Sequence, residues 1–246
     1  MRCAIATIVV VLAALPAAAQ IPRGDLPLPP AADAPPPAPE NRVPPPPSIR
    51  DLGEERYAIG DIVVDRKTSS FTAPGRILDI ASDLPLEFIV AARQATKSYE
   101  TLIELSSDAY QFNIACILIG LTRRPDQQPR RHFDPTPVEG DGVDVLVEWS
   151  KDGTTRRVNA AELIRVGGQK TARDEWVYTG SAVLPNGHYL AHISGTMVGF
   201  VHDQASIIQH RTGLGLGTYG AVTLDPAVSP PKDTPVIVTI RKRTGS

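Results

Sequence analysis

The sequence predicts one α+β domain over residues 52–246, a mainly antiparallel β-sheet packed on one buried central helix. Three observations lead there. Short runs rich in β-branched and aromatic residues recur from residue 59 to residue 241. A single segment, residues 109–121, is apolar nearly all round and follows a helix-start signal. Residues 21–48, ahead of that domain, have too few large apolar residues to build a core.

The N-terminal stretch sets the limits of that domain. Arg2 precedes an uncharged run over residues 3–15, and Pro16 and Ala17-Ala18-Ala19 follow. A charged start, an apolar stretch and an A-x-A site predict a signal peptide over residues 1–19. Residues 21–48 then hold twelve of the 24 prolines, so residues 20–51 are expected to form a disordered, proline-rich tether. At about 3.1 Å per residue such a tract reaches roughly 90 Å. It can serve as a spacer or as a docking peptide for a proline-reading groove. The expected address is the periplasm, with the extracellular space as the alternative.

Charge and cysteine content narrow the function classes. The chain carries 25 Lys and Arg against 27 Asp and Glu, whereas a dedicated nucleic-acid binder shows a basic excess, so no nucleic-acid partner is expected. No second apolar segment of about 18 residues follows the signal, and no transmembrane span is expected after its cleavage. Cys3 leaves with the signal. Cys116 then stands alone among Ile114, Ala115, Ile117, Leu118 and Ile119, which favours a buried, inert thiol over a reactive or interchain one.

The elements follow in order. Residues 59–64 and 70–80 read as strands, with a break at Pro74-Gly75, and residues 86–92 and 99–105 as two more. In the last, Tyr99, Thr101, Ile103 and Leu105 share a face by the period of two. Ser106-Ser107-Asp108 supplies an N-cap for the helix. Residues 122–142 form a long polar loop with Arg123, Arg124, Arg130, Arg131 and His132, able to grip an anion or balanced by its own acidic residues. Residues 143–149 and 154–158 flank Lys151-Asp152-Gly153, a hairpin signal, and Asn159 caps a short helix over residues 160–164. Strands are expected at 176–182, 189–193, 196–202, 221–224 and 235–241, with Ser194-Gly195 as a two-residue turn.

That turn would put His202 on one face and His188 and His192 on the other, so the three would not share an ion. His202 with Asp203 is still the strongest metal candidate by composition, against a structural histidine as the plainer reading. Ser181 lacks the setting of a nucleophile elbow. Gly213, Gly215 and Gly217 are followed by a strand rather than a helix, which argues for a loop and against a dinucleotide fingerprint. Lys97 and Tyr99, on one strand face beside Glu100, form a candidate proton-transfer pair.

The segments K-S-Y-E-T-L (97–102), I-L-I-G-L (117–121), E-W (148–149), W-V-Y-T-G-S (176–181), F-V-H-D (200–203) with S-I-I (206–208), and D-T-P-V (233–236) occur in an order that resembles the YdjY domain of exported bacterial proteins, over roughly residues 60–242. The resemblance implies a family without an assigned activity. It also implies histidines where this chain has Tyr99 and, near the helix start, Asn113 or a neighbour. The polar set it retains is Lys97, Glu100, Trp176, Thr179, Ser181, His202 and Asp203. With no catalytic motif and a long spacer, the expected function is a non-catalytic binding or structural module of the cell envelope, with an envelope protein as a possible partner. The alternative is a periplasmic enzyme, possibly metal-dependent, centred on His202, Asp203, Lys97 and Glu100. Cofactor and oligomeric state are left open by the sequence.

Overall fold

The computed structural model describes residues 47–81, 83–124, 130–170 and 174–244. The signal peptide and nearly all of the proline tract lie outside the described residues. Strands β1 (Ile49–Gly53), β2 (Arg56–Ile59) and β3 (Ile62–Asp65) form an antiparallel ribbon leading into β4 (Ser70–Ile77). Next come β5 (Phe88–Ala92), β6 (Thr101–Leu105) and helix α1 (Ala109–Leu118), and then β7 (Asp141–Lys151) and β8 (Thr154–Asn159), which pair as a hairpin. The chain continues through β9 (Ile164–Val166), β10 (Gln169–Lys170), β11 (Trp176–Tyr178), the short helix α2 (Leu190–Ser194), β12 (Thr196–Gly199), β13 (Ile208–His210), β14 (Val222–Leu224) and β15 (Pro235–Lys242). Strands β10, β9 and β14 make a separate small sheet.

Eight strands close into a barrel in the order β4, β15, β7, β11, β13, β12, β5, β6, with β6 returning to β4. This overturns the expected α+β arrangement of a sheet packed on a central helix. The seam is at β4. One of its edges pairs with β15, from Ser70 to Arg76, while the other pairs first with β3 and then, from Gly75 to Ile77, with β6. A Cβ at residue 75 would stand 2.5 Å from Glu104 O, so the pair Pro74-Gly75 does not break the strand but lets a third strand close on it.

A closed barrel has its own interior, and the helix therefore takes a subordinate place. Asp108 caps α1 in a reciprocal capping box with Gln111. One face, with Phe112, Ala115 and Cys116, is buried, and Phe112 meets Phe71 of β4 edge-on at 5.1 Å. Ile117 on the other face is 54% exposed. Near-uniform apolarity of the segment thus hid a helix with one buried face. Cys116 is fully buried, which pushes its thiol well above the ordinary range. No helix among the described residues is long and apolar enough to cross a membrane.

Other expectations fail for local reasons. Residues 59–64 are split by a turn between β2 and β3. Strand β1 begins inside the stretch assigned to the tether, and every one of its residues is exposed, so no apolar alternation announces it. The hairpin at Ser194-Gly195 does not form: residues 190–194 are helical, and Gly195, at φ 77°, ends the helix. Asp152-Gly153, both at positive φ, do make the β7–β8 turn as expected.

The barrel has two unlike halves. Strands β4, β15 and β7 alternate between buried and more exposed residues over most of their length. Strands β6, β11, β12 and β13 are buried at every residue, and β5 at all but its last; both helices pack against β12.

Candidate functional site

Strands β5 and β6 are parallel neighbours with Phe88 opposite Thr101, so the residues just before them, Glu87 and Glu100, enter the barrel side by side. The Glu87 N–H donates to Glu100 O at 3.0 Å. Both side chains are buried, with the residues only 3% and 5% exposed. A closed circuit of donors surrounds them. Lys97 Nζ donates to Glu87 Oε2 at 3.2 Å and to Glu100 Oε2 at 2.9 Å. His132 Nε2 lies 3.2 Å from Glu87 Oε1, and the Tyr219 hydroxyl donates to Glu100 Oε1 at 3.0 Å. All four carboxylate oxygens therefore have a partner, supplied by three separate segments.

This arrangement drives the two acids apart. Burial raises Glu87 above the usual carboxylate range; the charge of His132 opposes the shift, that of Glu100 adds to it, and the net direction is up. Burial pushes Glu100 the same way, but hydrogen bonds from Lys97 and Tyr219 and the charge of Lys97 outweigh it and hold Glu100 below that range. Burial likewise pulls the Lys97 ammonium down, yet its bonds to Glu100 and Glu87 win and hold it above its ordinary value.

The expected pairing of Lys97 with the Tyr99 hydroxyl gives way to this circuit. Residues 98–100 form a 3₁₀ turn rather than a strand, so the period of two does not apply there. Tyr99 is 59% exposed and presents its ring, 5.8 Å from the Lys97 ammonium.

The motif residues Thr179, Ser181, His202 and Asp203 gather separately, where the turn after β11 meets the β12–β13 connection. The Thr179 hydroxyl is directed at Ser206 O and Ile207 O and accepts from Gln209 Nε2. Ser181, held at φ 59°, donates to Gln204 O and accepts from the Ala191 N–H. Asp203 Oδ1 accepts from the N–H groups of Ala205 and Ser206, and burial raises its carboxyl despite those bonds. His202 is fully buried, with Nδ1 2.5 Å from Asp134 O and Nε2 2.9 Å from His210 O. Both ring nitrogens are thus turned to backbone carbonyls and neither to an open position. Trp176, on β11, is fully buried edge-on to the His210 ring at 5.4 Å.

One loop joins the clusters. Within residues 130–138, Arg130 faces the Thr179–Ser181 turn, His132 reaches Glu87, and the Phe133 N–H donates to His202 O. A groove beside Glu87 is walled by Pro85, Phe133, Val201, Leu214 and Tyr219. The sequence reading missed Glu87, which lies inside the apolar run 86–92, and Tyr219, which lies more than a hundred residues from its partner. His188 and His192 are not part of either cluster; the His192 ring packs on Tyr110 at 4.6 Å. Among the described residues, no three His, Cys, Asp or Glu side chains converge on a metal position.

A model of the YdjY domain matches residues 62–241. The chain belongs to the YdjY domain family. The match takes in the barrel up to the last residue of β15 and every residue of both clusters. No curated protein and no solved structure matches the chain. The positions where the resemblance implied histidine have other work in this YdjY domain: Tyr99 lies at the surface, and Asn113 accepts a hydrogen bond from the Tyr178 hydroxyl at 2.8 Å.

Proposed function

We propose that this YdjY domain is an exported, tethered module of the cell envelope that binds its ligand without transforming it, and that Glu87 and Glu100 with the adjoining groove form its recognition site. The carrying observation is the closed circuit. Each carboxylate oxygen of the buried pair accepts from a side chain, while Thr179, Ser181 and His202 direct their polar atoms largely at backbone groups. The acids are fixed in the barrel, but Lys97, His132 and Tyr219 are partly or largely exposed. A ligand can replace those donors with its own. The fitting chemistry is an amine or another hydrogen-bond donor presented at the mouth of the groove.

Export is supported by the charged start, apolar stretch and A-x-A site, and presentation at a distance by the proline tract. A second reading, an envelope enzyme, is favoured by the split between Glu87 and Glu100, since acids pushed apart by their surroundings are how a general acid and a general base are made from two carboxyls.

Native mass spectrometry of protein recovered from the exported fraction, without added metal or chelator, tests the proposal. The expected species begins at Gln20 and carries a small molecule that both Glu87→Gln and Glu100→Gln release with circular dichroism unchanged. A chain that retains residues 1–19 refutes export, and a ligand that both variants keep refutes the site. A recovered molecule that the wild type consumes on incubation, and either variant does not, selects the enzyme reading.

A further inference from the structure

We infer that the cleft between the Thr179–Ser181 turn and the β12–β13 connection is a second binding site, for free hydrogenphosphate. It is independent of the Glu87–Glu100 pair. Arg123, Arg130, Asp203 and Gln204 line it beside that turn. Its volume is about 20 Å³, room for about one water-sized group where one water needs roughly 10–15 Å³, so it suits an oxygen of a small ion seated at its mouth and no organic body.

The two arginines have donors to give. Arg123 has no hydrogen bond or ion pair among the described residues, and it approaches the turn where a Cβ on Gly180 would stand 3.3 Å from its Cδ. Gly180, at φ 74°, keeps that approach open. Arg130 donates Nη2 to Pro137 O, while its Nε is shut away from water without a partner. Guanidinium groups meet oxyanions with planar, directional donors. The frame behind them is fixed, because Thr179, Ser181 and Gln209 are tied to one another or to the backbone.

Asp203 decides which oxyanion fits. Its Oδ1 is occupied by two backbone N–H groups, and its Oδ2 has no hydrogen-bond partner among the described residues. A carboxylate oxygen in an arginine-lined cleft repels a fully deprotonated anion, but it accepts a hydrogen bond from one that keeps an O–H. Hydrogenphosphate keeps that proton at neutral pH and sulfate does not. A phosphate monoester has largely lost its last proton by then, its second pKa being about 6. An acceptor facing an acceptor in a partly buried site forfeits the bond and bears the desolvation of both groups.

The test is calorimetric titration of the full chain at pH 7.5 and constant ionic strength with sodium phosphate, sodium sulfate and glycerol 3-phosphate. Saturable phosphate binding is expected, with the other two weaker by roughly tenfold or more. Arg123→Gln should weaken phosphate by roughly tenfold. Asp203→Asn, which keeps the Oδ1 acceptor for Ala205 and Ser206, should bring phosphate and sulfate to similar affinities. Equal affinity for phosphate and sulfate in the unaltered protein, no saturable phosphate binding, or discrimination unchanged in Asp203→Asn overturns the inference. Tighter binding of the monoester than of free phosphate overturns it as well.

Discussion

The two halves of the barrel bury comparable apolar residues but carry different burdens. In β4, β15 and β7 one face fills the barrel and the other is largely open to water, and no buried polar or charged residue lies on these strands among the described residues. In the other half the strands are buried almost throughout, and there or in the adjoining turns sit Glu87, Glu100, Thr179, Ser181, His202, Ser206 and Gln209. Covering a sheet on both faces removes water from both, so each polar group needs an internal partner. The covered half therefore supplies the fixed, desolvated groups that recognition uses, and the alternating half is the scaffold that closes it.

The difference can be broken most strongly at Trp176. This residue is wholly enclosed on β11, where the covered half joins β7, and Trp176→Ala should cost roughly 3–5 kcal/mol in chemical denaturation. Ile237→Ala on β15, where the side chain is 39% exposed, should cost under about 1 kcal/mol. Comparable losses at the two positions would erase the distinction between the halves.

A smaller effect sharpens it through pH. Because Glu87 is raised in the fold, its contribution to stability is complete below the unfolded value, near 4.5, and fades as pH rises through the folded one. Glu100 is lowered, so its contribution is complete above that value and is lost as pH falls through its folded one. Stability should therefore climb as pH drops from 7 toward about 4.5 and decline below it. Glu87→Gln should flatten the climb. A variant profile parallel to that of the unaltered protein would show that Glu87 titrates as an ordinary carboxyl.

The same contrast governs what the sequence could reveal. Val143, Val145 and Val147, or Val236, Val238 and Ile240, alternate because one side meets water, and the strands they mark are where they were expected. Asp108 and Asp152-Gly153 act through local geometry and were equally readable. Strands β11 and β13, three residues each, have no open side and so no period. The seam at Gly75 depends on strands distant in sequence, and the helical turn at 190–194 replaced a strand whose apolar residues fit either pattern. At the site, Lys97 and Glu100 stood out as neighbouring charges, whereas Glu87 was hidden in an apolar run and Tyr219 in a glycine-rich loop. Only the parallel pairing of β5 with β6 makes the two acids neighbours.

The most direct test of the account is a carbon-13 NMR titration of the glutamate side-chain carboxyls, with Glu87→Gln and Glu100→Gln assigning the two resonances. The account predicts that Glu87 titrates above the usual carboxylate range and Glu100 below it, each moving toward that range when the other is replaced. Two ordinary and independent titrations would contradict it, since they would describe two solvated surface acids in place of a buried, coupled pair.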